Sequence, residues 1–145
     1  LVFSRQDLAV YPKADSDWRR SMRRGAYVVA DGGSRPDVTV VATGSEVGLA
    51  LEAASMVPER AVRVVSMPSR ELFLAQDAAF RRAVVPGGRV IVAEAGSGCG
   101  WEVLTGGRTE DVFAINRFGQ SGRPAEVAEH IGFTSGALAE LIRTG

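Results

Sequence analysis

The sequence predicts an α/β domain of three layers, in which helices cover both faces of a five-stranded, mostly parallel sheet with one antiparallel edge strand. Two observations carry this. Residues 38–42, 62–67, 89–95 and 112–116 are apolar at successive rather than alternate positions, the pattern of strands buried on both sides in a parallel sheet. The stretches between them read as helices, and strand-helix-strand order is what right-handed crossovers convert into a doubly wound sheet.

In chain order, residues 5–25 mix charge, Pro12 and two Arg pairs with little periodicity. They read as an extended connector with a short helix over 16–24. Ala26 to Asp31 is a short β-rich run stopped by Gly32-Gly33, and it supplies the antiparallel edge. Ser45 is placed to cap a helix from Glu46 to Val57, with Val47, Ala50, Leu51 and Ala54 on one face. Ser69 is a second cap, and Leu72, Phe73, Gln76, Phe80 and Ala83 follow at the spacing of one helix, which Pro86-Gly87-Gly88 ends. Pro124 to Ile131 and Ser135 to Arg143 close the chain as two short helices joined by Gly132-Phe133-Thr134.

Composition limits the function classes. Hydrophobic residues are 46% and charged residues 23% of 145, as in a folded globular domain. Seventeen basic side chains balance seventeen acidic ones, so no net field attracts nucleic acid or an anionic membrane, and neither is expected as a partner. Lys13 is the only Lys, and the remaining basic side chains, all Arg, read as compositional bias rather than a phosphate-binding array. The single cysteine, Cys99, cannot form an internal disulfide, as suits a reducing compartment. No apolar run reaches the length of a membrane span. The first residue is not Met, which reads as a cut chain.

Ligands of such sheets bind beyond the carboxyl ends of the strands, and three loops fall there. Ala42-Thr43-Gly44-Ser45-Glu46 is a strand-to-helix turn whose free N–H groups suit an anion, but a single glycine spells neither a dinucleotide fingerprint nor a P-loop. A tight turn with Ser45 as helix cap is the reading adopted. Glu94 to Trp101 holds Gly96, Gly98 and Gly100. The third glycine comes one residue early for a dinucleotide site, so close packing against a neighbouring domain is expected, with Trp101 as its apolar anchor. Arg117 to Arg123 is a polar loop with two guanidinium groups ahead of a proline-started helix, assigned to a partner domain rather than to phosphate. His130 has no second imidazole or cysteine at ligand spacing, and Cys99 reads as a packed small residue. Glu94 alone stands where a catalytic carboxylate would, and a structural hydrogen bond to the next loop is the reading preferred for it. No catalytic, cofactor-binding or metal-binding residue is assigned.

Several stretches resemble the carboxy-terminal domain of transketolases in order and spacing: SRQDLAV at 4–10, GAYVVAD at 25–31, ATGSEVGLALEAA at 42–54, VRVVSMPSRELFLAQDAAFRRAVVP at 62–86, VAEAGSGCGWE at 92–102 and RFGQSGRPAEVAEHIGFT at 117–134. The resemblance covers nearly the whole chain. Arg70 departs from the family's usual residue type, and the segment between Trp101 and Val112 is short.

The resemblance implies that residues 1–24 are the tail of a preceding pyrimidine-binding domain with its linker and that residues 25–145 are the carboxy-terminal domain. It implies a cytoplasmic homodimer of three-domain subunits that holds thiamine diphosphate and Mg2+ (or Ca2+) between the other two domains and moves a two-carbon ketol unit from a ketose phosphate to an aldose phosphate. This chain would then serve assembly and be inert alone. The arginine of the family's SRQ motif, which helps bind the substrate phosphate, falls on Arg5. Three alternatives stay open: a related thiamine-diphosphate enzyme (a deoxyxylulose-phosphate synthase or a 2-oxo-acid dehydrogenase β subunit), a stand-alone nucleotide- or effector-binding module, and the small subunit of a split enzyme.

Overall fold

A computed structural model describes residues 7–144. Five strands form one sheet in the order β1-β3-β2-β4-β5: β1 (Tyr27–Ala30), β2 (Val38–Ala42), β3 (Val62–Ser66), β4 (Arg89–Glu94) and β5 (Val112–Ala114). β2, β3, β4 and β5 run parallel, and β1 lies antiparallel on β3 at the edge. The predicted architecture is the one observed. Each predicted strand is present, the later ones slightly shorter than expected. β5 ends at Ala114 because Ile115 and Asn116 turn to the preceding loop: the Ile115 N–H donates to the Gly96 carbonyl at 3.1 Å, and the Asn116 side chain accepts from Gly98.

Alternation along the strands divides the interior into two cores. Val40, Ala42, Val64, Ile91 and Ala93 face one side, where α2 (Glu46–Ser55) and α6 (Ser135–Arg143) cover them through Val47, Ala50, Leu138 and Ile142. Val41, Val65, Val90 and Val92 face the other, under Met67, Phe73, Val84 and Trp101. That second cover differs from expectation: the single helix predicted after Ser69 is two, α3 (Arg70–Leu74) and α4 (Ala78–Val84). Asp77 makes the break, because its carboxylate accepts the Phe80 N–H at 2.8 Å as an N-cap, as Ser69 does for Leu72. That N–H holds the exposed Asp77 carboxyl below the usual carboxylate range.

The connector is built into the domain. The Ala14 and Asp15 N–H groups donate to the Val29 and Val28 carbonyls at 2.9 and 3.1 Å, along the open edge of β1. Tyr11 reaches Tyr27, hydroxyl to hydroxyl at 3.4 Å, and the Trp18 ring on α1 (Trp18–Arg23) lies 5.8 Å from that of Tyr27. Arg24 closes the segment over the Phe80 ring, donating to Gln76 and Asp77. Gly25 follows at φ +102°, and a β-carbon there would lie 2.4 Å from the Phe73 nitrogen, so only glycine lets the chain pass so near α3.

Buried charge pins the amino ends of the strands. Asp111 is fully buried and takes Arg89 at 2.7 Å on one oxygen and Arg108 at 2.7 Å on the other, while Arg89 also donates to the Leu141 carbonyl at the end of α6. Removing one partner of a buried pair strands the other. Asp111→Ala should therefore cost about 3 kcal/mol or more in denaturant unfolding. Arg108→Ala, whose side chain is 55% exposed, should cost about 1 kcal/mol or less.

Burial, reinforced by the bond to Tyr27, pushes the Tyr11 phenol well above its ordinary value near 10. A raised folded-state pKa gives stability that is complete below the unfolded value and is lost as pH rises toward the folded one. Chemical unfolding above pH 10 should show stability falling with pH, and Tyr11→Phe should flatten that slope.

Candidate functional site

The order β1-β3-β2-β4-β5 reverses direction between β2 and β4. The chain leaves β2 toward β3 on one side and leaves β4 toward β5 on the other, so the loops after β2 and β4 part above the sheet, where ligands of this architecture sit. The two predicted loops meet there. Thr43 Oγ1 donates to Glu94 Oε2 at 3.0 Å, and Glu94 Oε1 accepts the Gly96 N–H at 2.8 Å. Glu94 is thus the structural clasp expected of it, satisfied on both oxygens and joining β2, β4 and the glycine-rich loop.

Ser45 differs from its expected role. Its backbone is already helical (φ −65°, ψ −27°), whereas a side-chain cap needs an extended residue, and its hydroxyl donates instead to Glu46 Oε1 at 2.7 Å. Glu46 Oε2 also lies 3.4 Å from Thr43 Oγ1. A hydroxyl has one hydrogen, so the shorter contact, to Glu94, takes it. Two carboxylates around one hydroxyl make this end of α2 hostile to an anion, whatever its free N–H groups offer.

The glycine-rich loop is also held from below. Arg70 extends from the start of α3, lies over the Trp101 ring at 5.0 Å and donates to the Cys99 carbonyl at 3.3 Å. Gly100, at φ +80°, passes so close beneath it that a β-carbon would lie 2.9 Å from the Arg70 Nη1 atom. Trp101 is 8% exposed and belongs to the core beneath the sheet. It is not free to anchor a neighbouring domain, because a side chain this large is placed by its own core first. Thr43, Ser69, Arg70, Glu94, Cys99 and Trp101 border a depression of about 300 Å³.

A larger crevice of about 830 Å³ opens between the loops after β4 and β5 and α5 (Pro124–Ile131), and a second hollow of about 550 Å³ adjoins it across Ala95, Ile115, Gln120, Val127 and Ile131. Ala95, Ile115, Val127 and Ile131 give the larger crevice an apolar floor, and Ser97, Asn116, Arg117 and Gln120 stand among its lining residues. Phe118 stands 98% exposed at the rim, and Arg123 pairs with Glu126 at 3.7 Å. His130 and Cys99 are exposed. Among the described residues no group of three or more His, Cys, Asp or Glu could hold a metal ion, and no helix is long and apolar enough to cross a membrane. Arg5 lies outside the described residues. Among the described residues the site is therefore a set of braced loops above an apolar crevice, without a nucleophile-base pair or a phosphate cradle.

Sequence reasoning found the loops but not their connections. Thr43 and Glu94 are 51 positions apart and Arg70 and Cys99 are 29 apart, and no local pattern signals such contacts.

Comparison with known proteins gives the following. Residues 25–134 match the family model "Transketolase-like TK C-terminal domain". The transketolase of Treponema pallidum is 45% identical over 143 residues, covering 98% of this chain and 21% of that protein. Among solved structures, a transketolase from Leishmania mexicana superposes with a TM-score of 0.76 at 35% identity, over 91% of this chain and 19% of that one. A Pichia stipitis transketolase in complex with sedoheptulose 7-phosphate gives 0.78 at 29% identity, over 96% and 20%. The chain thus spans about a fifth of the length of the relatives it matches. These matches favour the main sequence reading over a related thiamine-diphosphate enzyme and over a stand-alone binding module.

If Glu94 is a clasp, its hydrogen bonds matter more than its charge. Glu94→Ala should cost about 1–3 kcal/mol in unfolding through the orphaned Gly96 N–H and Thr43 hydroxyl, and Glu94→Gln, which can still accept from Gly96, should cost less than half of that.

Proposed function

Because this chain belongs to the transketolase family as its carboxy-terminal domain, we propose that the whole protein transfers a two-carbon ketol unit from a ketose phosphate to an aldose phosphate in the cytoplasm, within pentose phosphate metabolism. The observation that supports this is end-to-end similarity to proteins named transketolase, at 45% identity in one relative.

Under this reading thiamine diphosphate and Mg2+ (or Ca2+) supply the carbanion chemistry from the rest of the protein. The described residues do not fit that group. They offer no metal cluster, and Glu46 and Glu94 occupy the strand-end turn where a diphosphate would meet free N–H groups. No step is therefore routed through this domain. Residues 25–145 serve assembly, with the apolar crevice beside α5 and the exposed Phe118 facing the remainder of a homodimer. Residues 1–24 bring in the end of the preceding domain, and Arg5 binds the substrate phosphate, for which a guanidinium fork is suited.

Full-length protein should catalyse ketol transfer between sugar phosphates and lack pyruvate decarboxylation, and residues 1–145 alone should do neither. Arg5→Ala in the full-length enzyme should raise KM for phosphorylated substrates about tenfold or more with cofactor affinity unchanged, since a charge-assisted bidentate contact contributes more than 1.4 kcal/mol. An unaltered KM removes Arg5 from the site.

A further inference from the structure

The crevice beside α5 and the hollow that adjoins it form one groove, with Ala95, Ile115, Val127 and Ile131 common to both. Its two ends carry opposite charge. Arg117 borders only the larger part and Glu46 only the smaller. Arg117 is exposed and meets no carboxylate among the described residues. Glu46 is half-buried at the start of α2, and its firm donor is the Ser45 hydroxyl, because the Thr43 hydrogen goes to Glu94. The amino end of α2 offsets part of that charge, but among the described residues no cation pairs with Glu46. Between the two charges Phe118 projects from the rim at 98% exposure. A Phe side chain has on the order of 150–250 Å² to bury, and this one buries almost none of it within its own chain.

A projecting ring, a hollow and an unmet charge at each end therefore lie on one face, and such a set fits itself after half a turn. In a twofold contact residue i of one copy meets residue j of the other while j meets i. Arg117 then faces the partner's Glu46 at one end, the same pair recurs at the other, and each Phe118 enters the opposite groove. Any other occupant needs an acidic and a basic group set at the matching separation, whereas a second copy carries both by construction. An apolar centre built on an aromatic anchor, with charge at the rim, is the usual anatomy of a protein interface.

We propose that this groove is an interface between two copies of the chain, closed about a twofold axis by Phe118 in the partner's groove and by Arg117 paired with the partner's Glu46. The proposal rests on the homodimer reading given above and names the surface of this domain that takes part in it.

The test uses full-length protein with Phe118→Asp, Glu46→Arg, Arg117→Glu and the double exchange Glu46→Arg with Arg117→Glu, and measures the dimer dissociation constant by sedimentation over a dilution series at low salt. Symmetry makes every substitution count twice. Each single variant should raise the dimer Kd about tenfold or more, since like charges or a buried lone carboxylate then oppose the contact. The double exchange should return to within about threefold of wild type, because the two charges again face each other. Phe118→Asp removes almost no packed surface, so its effect is independent of damage to the fold. If Phe118→Asp leaves Kd unchanged, or if the single reversals weaken the dimer and the exchange does not recover it, the proposal is overturned: the groove then faces another part of the protein, and the homodimer reading stands. If wild-type protein is monomeric, that reading fails, and the proposal with it.

Discussion

The strand Val38–Ala42 has no free side. It pairs residue for residue with β3 on one edge and β4 on the other, and all five of its residues are buried. Every other element is placed with respect to it: a one-residue slip would exchange Val40 and Val41 between cores already filled by α2 and α6 on one side and by Phe73 and Trp101 on the other. Because β2 alone fixes both neighbours, the loops that leave β2 and β4 are forced apart at its carboxyl end, and the braced crevice exists for that reason.

The two ends of the sheet treat charge in opposite ways. At the amino ends Asp111 is sealed between two guanidinium groups, a closed arrangement that ties β4 and α6 to the start of β5. At the carboxyl ends Glu94 takes the Thr43 hydroxyl and the Gly96 N–H while Glu46 takes the Ser45 hydroxyl, so their charge is met by hydrogen-bond donors rather than by a cation. The first arrangement contributes rigidity. The second sets the loop geometry and turns anions away.

Much of this was legible in the sequence, because continuous Val and Ile runs have few interpretations other than strands covered on both faces. The start of α5 at Pro124 and the cap of α3 at Ser69 were also local signals. The misreadings arose where one residue type serves two purposes. Asp77 looks like a polar position on the outer face of a helix and is instead a cap that accepts the Phe80 N–H, and the Arg24 that also holds it comes from 53 residues away. Ser45 has the composition of a cap but the dihedrals of a helix. Trp101 follows a glycine-rich loop and so looked exposed, yet its place is decided by Arg70 and the core beneath. The connector was read as a linker because it is held by two backbone hydrogen bonds to β1 and by contacts of Tyr11 and Trp18 with Tyr27, neither of which leaves a period in the sequence.

The chain has two tryptophans, and the fold has assigned them to separate duties. Trp18 is in the amino-terminal connector, beside Lys13 and Tyr27, while Trp101 lies beneath the sheet under Arg70. One indole senses whether the connector is seated and the other whether the interior is intact. Intrinsic fluorescence, read from each single-tryptophan variant in turn, can therefore follow the release of the connector separately from the melting of the domain, without any added label.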